Sequence, residues 1–251
     1  MIMFYASSNI AQNKTLYPEV LHDFYDSVIK KYRVPGMAVA IVLKDSIILQ
    51  EGFGYQDINQ HEKVNAHTIF GIASLSKTFT AGLMARAVDQ GKLTFGKPIS
   101  TILPAFRLYD SYVTSKVTVR DALAHRTGLD NFSGDLIWYG SNVNDSVIMS
   151  RLRHLKPEYG FRSHFGYSNI MYLVAGKMLE QIYHKPVYQL FDSVYFDPLQ
   201  MKNTTALYQK AMAHQNIAQP HIEKNDSIIQ QTYISWNNMM AAGGVFATAS
   251  D

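Results

Sequence analysis

Two apolar stretches constrain this chain more than anything else in it. Residues 76–90 carry Phe79, Leu83, Met84 and Ala87 at helical spacing, and residues 170–183 carry Leu173, Gly176, Leu179 and Ile182 in the same way. Helices this apolar need a sheet or other helices laid against them. The sequence offers one clear pair of strands. Residues 37–43 ("MAVAIVL") read as a buried strand, Lys44-Asp45 as a turn, and residues 46–53 as the hairpin partner. A lone hairpin is marginal in water, so a wider sheet is expected, more than the other segments visibly supply. The final "AAGGVFATASD" runs an apolar segment out of a Gly-Gly turn, and the natural chain is expected to continue past Asp251.

An amphipathic helix is expected over residues 16–32, with Val20, Phe24 and Val28 in its apolar stripe, Leu21 beside them, and Pro35-Gly36 to end it. A further short helix over residues 190–196 is closed by Pro198. A length of 251 residues suits one large domain or two intimately joined subdomains, and 47% hydrophobic with 17% charged residues provides for a sizeable core. Residues 1–15 are set apart as a leader. Met1 to Ala6 is apolar and small residues follow at Ser8 to Ala11, as in the stump of a signal peptide or a frayed leader. Residues 16–251 then form the domain proper.

Several function classes fall away. A net charge of +3 with no run of one sign gives nucleic acid nothing to grip. Zero cysteines excludes disulfides, thiolate catalysis and Cys-ligated zinc. The nine histidines are scattered without metal-ligand spacing, so neither metal nor cofactor is expected. No stretch approaches the roughly 20 apolar residues that span a bilayer.

The chemistry concentrates in two places. In "GIASLSKTF", Ser74 and Lys77 stand three apart, close enough on a helix to share a face. A serine hydroxyl needs a base to become a nucleophile, and a lysine withdrawn from water can supply a neutral amine. A helix start would add backbone N–H donors for a developing oxyanion. The plainer reading is an ordinary polar helix start. Ser27 and Lys30 have the same spacing inside the first amphipathic helix, where they read as a solvated face. The second place is Tyr167-Ser168-Asn169. A tyrosine beside a lysine can relay a proton, and an asparagine amide can grip a substrate carbonyl; the alternative is a core tyrosine with its hydroxyl capped. Trp138 and Tyr139, in "DLIWYGSN", would either line the cleft mouth and stack on substrate or cap the helical region. His164-Phe165-Gly166 abuts Tyr167 in a loop and is read as loop sequence.

Five blocks bring these residues together. "TIFGIASLSKTFTAGLMARAVDQGKLTFGKPI", "VTVRDALAHRTGL", "GYSNIMYLVAGKMLE", "FDPLQMKNT" and "AAGGVFATASD" occur in the order and spacing of the serine β-lactamase and D,D-peptidase superfamily. The chain most resembles its class C-like branch, which includes esterases. The resemblance implies an α/β fold, with an antiparallel sheet flanked by helices and a mainly helical subdomain between the strands. It implies Ser74 as the acylated nucleophile, Lys77 as its activating partner and Tyr167 as the base working with Lys77. Asn169 would bind the substrate amide carbonyl, the Ser74 backbone N–H would supply half of the oxyanion hole, and "HRTGL" would be a structural turn in which Gly128 serves the backbone. The family's third motif, Lys/His-x-Gly on an inner strand, should lie well beyond Gly243-Gly244, and no residues remain for it. The implied substrate is a small molecule or a peptidoglycan peptide: a β-lactam, a D-Ala-D-Ala-type peptide or an ester. The alternative is a non-catalytic binding or sensor domain of the same fold. An exported location, periplasmic or extracellular, goes with such substrates, and the composition is equally compatible with the cytoplasm.

Overall fold

A computed structural model describes residues 17–251, so the expected leader lies outside the described residues. Helix α1 (Pro18–Lys31) opens with proline in its first turn, where a missing N–H costs nothing. It lies on a hairpin of β1 (Gly36–Leu43) and β2 (Ser46–Gly54), paired antiparallel from Gly36↔Gly54 to Leu43↔Ser46. Lys44 and Asp45 both take positive φ at the tip, the geometry that matches the twist of a tight hairpin. The face of α1 differs from the expected one by one position. Leu21, Tyr25 and Ile29 pack on Leu49 and Phe53, while Val20 and Phe24 point outward. The "MAVAIVL" strand is also not buried: α1 covers only the face that carries Met37, Val39 and Ile41. Alternation across the pleat leaves Val42 in solvent.

After β3 (Phe70–Gly71) comes α2 (Ser76–Asp89), as its periodicity predicts. Short helices α3 (Ser111–Lys116), α4 (Val119–Leu123) and α5 (Asp145–Arg151) follow, and then α6 (Asn169–Tyr183). α6 is the hub of the main core: Ile170 to Gly176, Met178 and Leu179 are all buried. It packs on Leu83, Met84 and Ala87 of α2 and on Val119 and Ala122 of α4. Each part is locally specified. Thr118 and Asp121 form a reciprocal capping box at α4, and Arg162 grips the same Asp121 carboxylate through Nε at 2.9 Å and an Nη at 2.7 Å, tying the loop before α6 to it.

Helix α7 (Val187–Phe191) runs into a π-helical turn, Asp192–Phe196, ahead of Pro198. Helix α8 (Tyr208–Met212) precedes a second hairpin, β4 (His221–Lys224) with β5 (Ser227–Gln230). A short helix α9 (Met240–Gly243) and strand β6 (Phe246–Ala247) close the order, with β6 antiparallel to β3. The fold is therefore mixed α/β, helices around small antiparallel ladders. Among the described residues the strand pairing forms three separate two-stranded units. No helix among them is long and apolar enough to cross a membrane.

Candidate active site

Ser74 sits on a sharp bend. Ala73, just before it, takes φ +44°, a left-handed conformation that costs a non-glycine residue roughly 1 kcal/mol. A 3-10 turn, Ala73–Leu75, then leads into α2. The bend is pinned from behind. Ser76 Oγ donates to Ala73 O at 2.6 Å and accepts from Val245 N at 3.0 Å, while Thr80 Oγ1 donates to Ala241 O at 2.7 Å. Ile72 N completes the attachment, donating to Val245 O at 3.0 Å. The α9–β6 segment thus sets where Ser74 points.

Two groups meet the Ser74 hydroxyl. Lys77 Nζ lies 3.0 Å from Ser74 Oγ, and Tyr167 Oη donates to it at 2.7 Å. Lys77 is 7% exposed, and it spends its other two N–H bonds on Asn169 Oδ1 and Ala242 O, each at 2.8 Å. All three ammonium hydrogens are used. Of the three partners only Ser74 Oγ can donate a proton in return, since an amide oxygen and a backbone carbonyl cannot. A neutral Lys77 amine therefore directs its lone pair to a hydroxyl, that of Ser74 at 3.0 Å or that of Tyr167 beside it. Burial pulls the Lys77 ammonium below the usual lysine range, against the opposing influence of Tyr167 and Asp135.

Beneath this layer lies a second. Tyr167 packs its ring on His125, centroids 4.7 Å apart, and Lys77 Nζ stands 4.9 Å over the Tyr167 ring and 5.4 Å over that of Tyr172. His125 is buried, and its Nδ1 accepts from Ser168 N at 3.0 Å. Burial first, and the charge of Lys77 second, push its pKa down to about 4. The sign follows from linkage. Between pH 6.5 and 4 the unfolded chain binds a proton at this histidine that the folded protein does not, so stability is full above that window and falls on acidification through it. Thermal melts between pH 6.5 and 5 should show a decline in melting temperature that flattens in His125→Gln.

Asn169 is 4% exposed, with its amide oxygen on Lys77 and its Nδ2 on Asp135 Oδ2 at 2.7 Å. The other carboxylate oxygen of Asp135 accepts from Trp138 Nε1 at 3.1 Å, and burial raises the carboxyl above its usual range. Gly134 turns the chain toward this carboxylate at φ +85°, where a Cβ would strike Ile170 and Leu155. Gly128 has the backbone role expected of it, at φ +92° with Tyr159 O against the vacant Cβ position. One expectation is corrected. Trp138 is 1% exposed, its ring edge-on to Trp236 at 4.7 Å, so it cannot stack on a substrate. Tyr139 is half-exposed and lines a recess of about 340 Å³ beside Ala73, with Tyr233, Trp236 and Phe246.

The Ser27/Lys30 pair is a solvated helix face: Ser27 Oγ donates back to Phe24 O and Lys30 pairs with Asp26. His164 stacks on Tyr159 and Phe165 points to solvent, so His164-Phe165-Gly166 is loop. Sequence reasoning missed Asp135, His125 and the Ala242 carbonyl. Asp135 opens the "DLIWYGSN" stretch, but nothing local shows that its carboxylate meets Asn169, 34 positions away. No group of three or more His, Asp or Glu that could hold a metal occurs among the described residues.

A serine, a buried lysine and a tyrosine thus converge at one hydroxyl at the start of a helix. The beta-lactamase family model matches residues 21–251, and the chain belongs to that family. It is 27% identical over 236 residues to an unguisins hydrolase of Aspergillus violaceofuscus, covering 89% of this chain and 41% of that protein. Among solved structures it resembles the octameric penicillin-binding protein homologue from Pyrococcus abyssi (TM-score 0.77, 20% identity, 92% of this chain and 53% of that one). A class C beta-lactamase is similar too (TM-score 0.75, 21% identity, 97% and 64%). The chain spans less than two thirds of the length of each.

Proposed function

We propose that the protein is an acyl-transferring serine hydrolase with Ser74 as nucleophile and Lys77 and Tyr167 as the pair that takes its proton. The observation that carries this reading is the convergence of Lys77 Nζ at 3.0 Å and Tyr167 Oη at 2.7 Å on the Ser74 hydroxyl, with the other two Lys77 partners, an amide oxygen and a backbone carbonyl, unable to give up a proton. For attack the proton leaves Ser74 Oγ for Lys77 or Tyr167 while Oγ bonds to the carbonyl carbon of an amide, lactam or ester. Collapse of the tetrahedral intermediate breaks the bond to the leaving nitrogen or oxygen, which takes up that proton, and leaves the acyl group on Ser74. Water then repeats the sequence and frees the acid. The hydrogen bonds that pin the Ala73 bend to Val245 hold the nucleophile in place before substrate arrives. The aromatic recess at Tyr139 adjoins the nucleophile on the Ala73 side and suits the acyl portion of a small molecule or a peptidoglycan peptide.

A panel of a chromogenic β-lactam, a D-Ala-D-Ala peptide and a short-chain nitrophenyl ester tests this. At least one should be turned over, with the rate falling to background in Ser74→Ala. Turnover that survives Ser74→Ala would overturn the assignment.

A further inference from the structure

We propose that Asp135 is a positioning residue of this site: its carboxylate fixes the Asn169 amide the one way round that turns Oδ1 toward Lys77. The inference rests on the reading of Lys77 given above and extends it to a residue that touches neither Ser74 nor Lys77 by hydrogen bond.

A side-chain amide can sit either way round in nearly the same volume, so something must choose. Flipped, Asn169 would present its NH₂ to the Lys77 ammonium, donor against donor. Lys77 would then lose one of its three acceptors in a buried place. Asp135 prevents this because it can only accept: Oδ2 takes the Asn169 Nδ2 hydrogen at 2.7 Å. Its own orientation is held in turn, since Oδ1 takes the Trp138 Nε1 hydrogen at 3.1 Å. Trp138 is fully buried against Trp236, so that donor is fixed. Two fixed donors, one on each oxygen, demand an acceptor at both ends, and only a carboxylate offers that. The order of constraint runs from the indole through the carboxylate and the amide to the ammonium, and ends at the nucleophile.

The same geometry predicts what asparagine would do in its place. Asp135→Asn leaves one oxygen for two donors. The new amide must turn its NH₂ either against the indole or against Asn169, and the second choice drives Asn169 to flip. Loss of the carboxylate charge acts on Lys77 separately, since that charge favours the ammonium. The groups facing Lys77 are Ser74, Tyr167, Asn169, the Ala242 carbonyl and the Tyr172 ring, with His125 and Asp135 beyond them.

The test uses Asp135→Asn alone and combined with Trp138→Phe, which removes the competing indole donor. In the double variant the introduced amide can face its oxygen to Asn169 again. The readouts are the acylation rate against pH and the Lys77 ¹³Cε shift against pH by NMR, with melting temperature as a check on folding. Asp135→Asn should lower the plateau of the acylation rate at least ~10-fold, as expected when a hydrogen bond to a buried charged group is removed, and the double variant should recover most of that loss. In both, the Lys77 titration and the acidic limb of the rate profile should move to lower pH. The shift should be larger in Asp135→Asn, where the flipped amide also takes an acceptor from Lys77; an equal loss of rate in both variants, or an equal displacement of the Lys77 titration in both, would overturn the proposal. The NMR titration reads out even if the protein acylates nothing, so failure of the hydrolase reading and failure of this one are distinguishable.

Discussion

Lys77→Met should lower the rate of Ser74 acylation by roughly 10³- to 10⁴-fold, about what a positioned proton acceptor contributes. Methionine keeps the unbranched stem and most of the volume, so the walls built by Tyr167, Tyr172 and α9 stay in place. The variant removes the amine that lies 3.0 Å from the Ser74 hydroxyl. Its effect on stability should be small by comparison. Losing a buried ammonium is favourable, losing the hydrogen bonds to Asn169 Oδ1 and Ala242 O is not, and each side is of the order of 1–3 kcal/mol. Thermal melts beside stopped-flow acylation separate the two. A variant that unfolds as fast as it loses activity would mean that Lys77 is mainly a structural plug.

Tyr167→Phe should cost about 10²- to 10³-fold. The ring keeps its packing on His125 at 4.7 Å and on Phe132 at 5.4 Å, so the substitution removes the hydroxyl alone, with its 2.7 Å hydrogen bond to Ser74 Oγ and its influence on Lys77. Because the same hydroxyl would return a proton to the leaving group and later activate water, both acylation and deacylation should slow. The signature is a fall in kcat with little change in substrate affinity, and a longer-lived adduct. A change confined to KM would assign Tyr167 to binding instead.

Helices α2 and α6 were legible because their periodicity is long and their apolar faces wide, and the first hairpin because a positive-φ turn separates two apolar runs. The second hairpin was not. Asn225-Asp226 takes positive φ at both residues, as Lys44-Asp45 does, but "HIEK" and "SIIQ" are too short and too polar to announce strands. The stripe of α1 was displaced by one residue because Val20-Leu21 and Phe24-Tyr25 offer two adjacent apolar rows, and only packing on the hairpin chooses between them.

In the site, Ser74, Lys77, Tyr167 and Asn169 were identifiable as residue types at short spacing, helped by resemblance to a known family, and the structure brings all four together. Asn169, expected to hold a substrate carbonyl, turns its amide oxygen to Lys77 and one N–H to Asp135, which leaves its second N–H for another acceptor. Trp138, Asp135 and His125 show where that route ends. Whether an indole is a platform or an anchor, and whether a histidine is charged, depends on partners that only the folded chain brings near. For His125 those partners are Tyr167, Tyr172 and Ser168, all far along the chain from it.

The central claim is that Ser74 is the residue acylated. The most direct measurement is intact-mass spectrometry with peptide mapping, after brief exposure to a fluorescent penicillin and, separately, to an activated short-chain ester, with Ser74→Ala run alongside. The account predicts a single acyl increment from at least one reagent, mapped to the peptide carrying Ser74 and missing from the variant. An adduct on another residue, an equal adduct on Ser74→Ala, or no adduct from either reagent would contradict it.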